Sequence, residues 1–223
     1  MPIPHEMTEG IRIPAPGVLL DGDLTLPLRS AAVVLFAHGS GSSRRSPRNQ
    51  HVAKALNRAG FATLLMDLLT AQEEKFDLHT RELRFDIPRL ATRLTAAVDW
   101  LAGDARTASL RVFLYGASTG AAAALITAAD RPTRVSGVVS RGGRPDLAGD
   151  AHQRLQTPTL LIVGGNDPTV RQLNEQAKRD IVSSGGCVEL VIVPGATHLF
   201  EEPGALDTVI DITLHRLRHW VQS

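Results

Sequence analysis

The chain has a single cysteine, Cys187, in 223 residues, so no intrachain disulfide can form. That excludes a disulfide-stapled scaffold and suits a reducing compartment. Aromatic residues are scarce, at 4 %. Alanine and glycine are plentiful instead, which favours close packing of helices on a sheet. Charge of one sign is also missing. Lys+Arg number 24 against 23 Asp+Glu, a formal net charge of +1. A general nucleic-acid binder carries a strong basic excess, so no nucleic-acid partner is expected. No apolar run approaches the ~18–20 residues of a membrane span. The opening Met1-Pro2-Ile3-Pro4-His5-Glu6 has no basic stretch followed by an apolar one, as a secretory signal would. The expectation is a soluble, cytoplasmic protein without a membrane partner. The histidines lack ligand spacing supported by cysteines or carboxylates, so no metal and no other cofactor is expected. Cys187 is expected to be a core residue without a function.

What is present is an alternation of strands and helices over one domain, 1–223, long enough to bury a core without metal or disulfide. Strands are expected at Ile11–Ile13, Val18–Leu26, Ala32–Ala37, Ala62–Asp67, Arg111–Tyr115, Ser136–Val139, Thr159–Val163 and Val188–Val193. Most of the later ones are short, continuous apolar runs, the signature of strands buried on both faces. Helices are expected at Asn49–Ala59, Pro88–Leu101, Thr119–Ala129, Val170–Ser183 and Ala205–Val221. Asp21-Gly22-Asp23 reads as a turn joining the first two strands into an antiparallel edge. The rest implies an α/β fold, a mostly parallel sheet of about eight strands with helices on both faces. Ligands in such sheets bind beyond the carboxyl ends of the strands.

Gly116-Ala117-Ser118-Thr119-Gly120 stands at one such end, between an expected strand and an expected helix. This resembles the G-x-S-x-G nucleophile turn of the α/β-hydrolases, in the strand–turn–helix context that the pattern requires. A sharp turn strains the serine backbone and lifts its Oγ out of the sheet. Residues two before and two after must then approach closely, which calls for Gly116 and Gly120. Ser118 is the candidate nucleophile. In this fold the acid and the histidine follow the nucleophile in that order. Of His152, His198, His215 and His219, only His198 directly follows an expected strand; His215 and His219 read as surface residues of the last helix. Asp167 closes the strand Thr159–Val163 through Gly164-Gly165-Asn166 and is the first choice for the acid, with Asp146 and Asp150 as fallbacks. His38-Gly39-Ser40-Gly41 follows an earlier strand. The backbone N–H groups of Ser40 and Thr119 are the candidate oxyanion hole. A phosphate loop is a weaker reading of that segment, because the Gly-Lys-Ser/Thr ending is missing. His38 reads as a structural hydrogen-bonder.

With His38–Ser43, Gly116–Gly120, Gly164–Asp167 and Pro194–Phe200 in hand, the chain resembles the dienelactone hydrolase-like branch of the α/β-hydrolases, from about Pro14 to the final helix. The resemblance implies a small hydrolase core, without a large cap domain, acting on ester bonds. It extends to hydrolase domains that occur joined to phosphoribosyltransferase domains, although no second domain is expected within these residues. Dienelactone hydrolases proper use a cysteine nucleophile, whereas this position is Ser118. The expected partner is therefore a small-molecule ester with a short acyl chain rather than the dienelactone itself. Transfer of the acyl group to an alcohol or peroxide, and a non-catalytic binding module on the same fold, are the alternatives. Leu69–Asp86 is long enough only for a mobile flap or a short helix, and its charges read as a solvated face. Two arginine clusters, Arg44, Arg45 and Arg48, and Arg141 and Arg144, follow strands at the same sheet edge. Arg44, Arg141 and Arg144 are candidates for binding an anionic group on the substrate, with solvated or salt-bridged surface arginines as the other reading.

Overall fold

The computed structural model describes residues 7–223. They form one eight-stranded sheet: β1 (Met7–Ala15), β2 (Val18–Leu26), β3 (Ala32–Ala37), β4 (Ala62–Met66), β5 (Arg111–Ala117), β6 (Val135–Arg141), β7 (Thr159–Gly164) and β8 (Val188–Val193). The spatial order is β1-β2-β4-β3-β5-β6-β7-β8. β1 pairs with β2, and β2 with β4, antiparallel; every later neighbour is parallel. The helices are α1 (Pro47–Arg58), α2 (Ala71–Thr80), α3 (Ile87–Gly103), α4 (Thr119–Asp130), α5 (Ala151–Arg154), α6 (Pro168–Ser183) and α7 (Ala205–Gln222).

Strand alternation sorts the apolar side chains into two cores. In β3, Val33, Leu35 and Ala37 join α3 and α4 on one face, while Ala32, Val34 and Phe36 join α1 and α7 on the other. β3 and β7 are buried along their whole length, which explains their uninterrupted apolar sequence. β8, at the sheet edge, is only half-buried except at Val193.

Three expectations need correction. The hairpin of β1 and β2 turns at Pro16-Gly17, with Gly17 at φ 74°, and not at Asp21-Gly22-Asp23. Those residues lie inside β2, where the two carboxylates meet Arg12 and Arg44. Strand β6 runs on to Arg141, so that arginine ends the strand instead of following it. Cys187 is exposed, because it precedes the half-buried edge strand and not a central one.

The segment between β4 and α3 folds as α2 followed by a 3-10 turn at Leu83–Phe85. Thr70 and Glu73 close a capping box at its start. Its charges are not simply solvated. Glu73 receives both Nη groups of the buried Arg93, at 2.5 and 2.9 Å. Asp77 accepts from the Leu83 N–H at 2.7 Å and from Arg84 Nε at 2.5 Å. Glu74 and Lys75 are solvent-exposed as expected, and so are Phe76, Leu78 and Phe85.

Burial alone would raise both carboxyl pKa values. Hydrogen bonds from Arg93 and Thr70 outweigh it at Glu73, and those from Arg84 and Leu83 outweigh it at Asp77, so both lie below their ordinary values of 4.5 and 3.8. A carboxyl whose folded pKa is depressed stabilises the fold above its unfolded pKa and loses that contribution as pH falls through the folded value. Thermal stability should therefore begin to fall below about pH 4.5. The slope should be shallower in Asp77→Asn. Melting curves between pH 7 and 3 test this, and identical acid slopes in both proteins would refute it.

Candidate active site

The carboxyl ends of β3, β5, β6, β7 and β8 gather at one edge. Ser118 sits between β5 and α4 at φ 51°, ψ −119°, a conformation that costs a non-glycine residue about 1–3 kcal/mol. Its surroundings over-determine it. The Ser118 N–H donates to the Arg141 carbonyl at 3.2 Å, and its carbonyl accepts from Arg144 N at 3.1 Å. Sterics leave no side-chain alternative on either side. A Cβ on Gly116 would lie 2.4 Å from Ala121 Cα, and one on Gly120 would lie 2.3 Å from the Ala37 carbonyl oxygen.

His198 and Asp167 reach the same point from later loops. His198 Nε2 is 3.3 Å from Ser118 Oγ, and its Nδ1 is 2.7 Å from Asp167 Oδ2. The other Asp167 oxygen accepts from Val170 N at 3.3 Å and caps α6. The carboxylate is thus held from two directions. The fallback acids are engaged elsewhere, Asp146 with Arg144 and Asp150 with Arg154. Of the other histidines, His152 is buried in α5 and held below its ordinary pKa, mainly by that burial.

The Gly39 loop closes over Ser118: a Cβ on Gly39 would lie 3.1 Å from Ser118 Cβ. Among the described residues neither the Ser40 nor the Thr119 N–H has a protein acceptor. Such free donors beside a serine are what a developing oxyanion needs. His38 has the structural role expected of it. Leu68 N–H donates to its Nε2 at 3.0 Å, so the proton lies on Nδ1, which faces the Gly39 carbonyl at 2.9 Å. Burial lowers its pKa and the Gly39 bond only partly opposes this, so the ring is neutral.

Two spaces border the Gly39 loop, one of them lined by Ser118. A cleft of about 200 Å³ is lined by Ser118, His198, Arg141, Arg48, Asn49 and Ser42. A pocket of about 40 Å³ is lined by Ser40, Thr119, Leu69, Leu90, Glu74, Asp77 and Arg84. Of the three candidate substrate arginines, only Arg141 lines the cleft. Arg44 is held by Asp67 and Asp23, and Arg144 by Asp146. Asn49 and Ser46 were not among the sequence candidates, although Ser46-Pro47 carries the cap-then-proline signal of a helix start. No group of three or more His, Cys, Asp or Glu side chains among the described residues is arranged to hold a metal. No helix among them is long and apolar enough to cross a membrane.

Residues 20–211 match the model of the dienelactone hydrolase family. The crystal structure of a dienelactone hydrolase from Anabaena variabilis is 51 % identical, with a TM-score of 0.93 over 96 % of this chain and 98 % of that one. Est1E from Butyrivibrio proteoclasticus superposes with a TM-score of 0.79 over 96 % of this chain and 99 % of its own; at 16 % identity this likeness is one of fold alone. A Mycobacterium tuberculosis protein named as a phosphoribosyl transferase is 54 % identical over 201 residues, 90 % of this chain. The match covers only 44 % of that relative, so the chain spans less than half the length of the curated relative.

Proposed function

The chain belongs to the dienelactone hydrolase family, and from that premise we propose that it is a serine hydrolase cleaving small, short-acyl esters through an acyl-enzyme on Ser118. The observation that carries this reading is the hydrogen-bonded series Ser118–His198–Asp167.

In the proposed reaction, His198 Nε2 takes the Ser118 proton as Oγ attacks the acyl carbon. The carbonyl oxygen becomes an oxyanion facing the Ser40 and Thr119 N–H groups, each such donor being worth about 3–4 kcal/mol of barrier. Asp167 keeps the His198 proton on Nδ1 and stabilises the imidazolium. His198 then returns the proton to the departing alkoxide, leaving the acyl group on Oγ. A water attacks that acyl carbon in turn, its proton passing through His198 to Oγ, and the free acid leaves.

The pocket of about 40 Å³ beside Ser40 and Thr119 has room for a few heavy atoms, which favours short acyl groups. Nitrophenyl acetate and propionate should therefore exceed the octanoate in kcat/KM by at least about tenfold. A fluorophosphonate should attach to Ser118, located by peptide mass spectrometry. Absence of both turnover and labelling in folded protein would sink the reading.

A further inference from the structure

One dipeptide, Asp67-Leu68, holds both ends of the loop that carries the Ser40 N–H. At the near end, the Leu68 N–H donates to His38 Nε2, which leaves the His38 Nδ1–H for the Gly39 carbonyl. At the far end, Asp67 Oδ1 accepts from the Arg44 N–H at 2.7 Å, and Oδ2 pairs with the Arg44 guanidinium. Asp67 is itself fixed, because its own N–H donates to the Asp21 carbonyl of β2 at 2.9 Å. Between these anchors the loop has few holds. Among the described residues, 39–43 hydrogen-bond only with one another and with the adjoining His38, Arg45 and Ser46.

The orientation of one peptide decides what this loop can do. The Gly39 carbonyl and the Ser40 N–H belong to the same trans peptide, so they point in opposite directions. Gly39 O accepts from His38 Nδ1 at 2.9 Å and from Ser42 N at 3.2 Å. Two donors holding the oxygen on one side aim the N–H to the other. The second of them closes the turn 39–42, in which Gly41 supplies the φ of 69° that the third position needs. Ser42 lies two residues before Arg44, so its place depends on the far anchor. The loop meets Ser118 at Gly39, where an added Cβ would lie 3.1 Å from Ser118 Cβ.

We infer that Asp67 is a positioning residue for ester hydrolysis: by holding the Arg44 N–H it keeps the Ser40 N–H aimed at the developing oxyanion. This role rests on the esterase reading above. Its rival is the Arg44–Asp67 ion pair acting on the fold alone, and the two are separable. Arg44→Ala loses the ion pair but leaves a backbone N–H for Asp67 Oδ1. Asp67→Ala loses both. Asp67→Asn keeps an oxygen for the N–H.

The test measures kcat and KM for a short-acyl ester, with thermal melts to show that each variant is folded. In Asp67→Ala, kcat should fall at least about thirtyfold with KM within about threefold of wild type, because a donor used in the transition state is misplaced. Asp67→Asn and Arg44→Ala should each keep kcat within about fivefold of wild type. A trifluoromethyl ketone with the same acyl group reads the oxyanion site directly. Ser118 Oγ adds to its carbonyl carbon, the Ser118 proton passes to His198, and the carbonyl oxygen becomes the oxyanion. Its Ki should rise in Asp67→Ala by the factor by which kcat/KM falls. Asp67→Glu serves if the alanine variant does not fold. It keeps the charge but moves the accepting oxygen by one methylene, and kcat should fall at least about tenfold. A kcat within about threefold of wild type in folded Asp67→Ala, or failing that protein in Asp67→Glu, would overturn the inference. So would an equal loss in Arg44→Ala, or an unchanged Ki. Each of these outcomes leaves an active ester hydrolase. A wild type that turns over no ester and binds no ketone overturns the esterase reading, and the role of Asp67 with it.

Discussion

Ser118→Ala is expected to lower kcat for ester hydrolysis by about 10⁶-fold. The covalent route needs an oxygen at that position, and no other hydroxyl stands 3.3 Å from His198 Nε2 among the described residues. The remaining rate would come from the Ser40 and Thr119 donors and from substrate binding, about 10³–10⁴ over water. A companion substitution separates chemistry from fold. Ser118 holds φ 51°, which alanine must also endure but glycine adopts freely. Ser118→Gly should be equally inactive yet more stable than Ser118→Ala by about 1–3 kcal/mol. That corresponds to a melting temperature higher by roughly 2–4 °C for each kcal/mol. Initial rates and thermal melts on the three proteins suffice. More than one per cent of wild-type kcat in Ser118→Ala would exclude this serine as nucleophile.

Asp167→Asn should cost about 10⁴ in kcat with little change in stability. The two oxygens of Asp167 do separate work, Oδ2 on His198 Nδ1 and Oδ1 on the Val170 N–H. Asparagine can keep the cap through its amide oxygen, since it ranks with aspartate at helix N-termini. Its amide N–H then faces Nδ1, which must become an acceptor. The proton moves to Nε2, where it blocks removal of the Ser118 proton. Alanine would lose both contacts and about 1 kcal/mol of stability besides. An Asn variant retaining a tenth or more of wild-type kcat would show that another group orients the imidazole.

Local stereochemistry made part of this legible beforehand. The G-x-S-x-G turn announces itself because only glycine fits at positions 116 and 120, where the nearest backbone atoms lie 2.4 and 2.3 Å from an added Cβ. The parallel core strands are readable for a similar reason, since a strand buried on both faces must be apolar throughout. Asp21-Gly22-Asp23 misled because a turn-like composition within a strand looks the same as a turn until the partners of the two carboxylates are known. The segment after β4 left helix and flap open because α2 is held by Arg93 and Arg84, one of them in α3. Cys187 was misplaced because exposure depends on which strand ends up at the edge.

The sequence by itself determined the α/β-hydrolase fold, the strained serine and the order in which an acid and a histidine follow it, because these depend on backbone sterics and on apolar periodicity along the chain. The tertiary structure decided which acid stands free to act and which arginines are already paired. Asp146, Asp150, Arg44 and Arg144 are each claimed by an opposite charge, whereas Asp167 meets His198 and Arg141 meets no carboxylate among the described residues. Pairing of charges is a matter of distance in space, and residues 44 and 67, or 49 and 141, become neighbours only once the sheet is assembled.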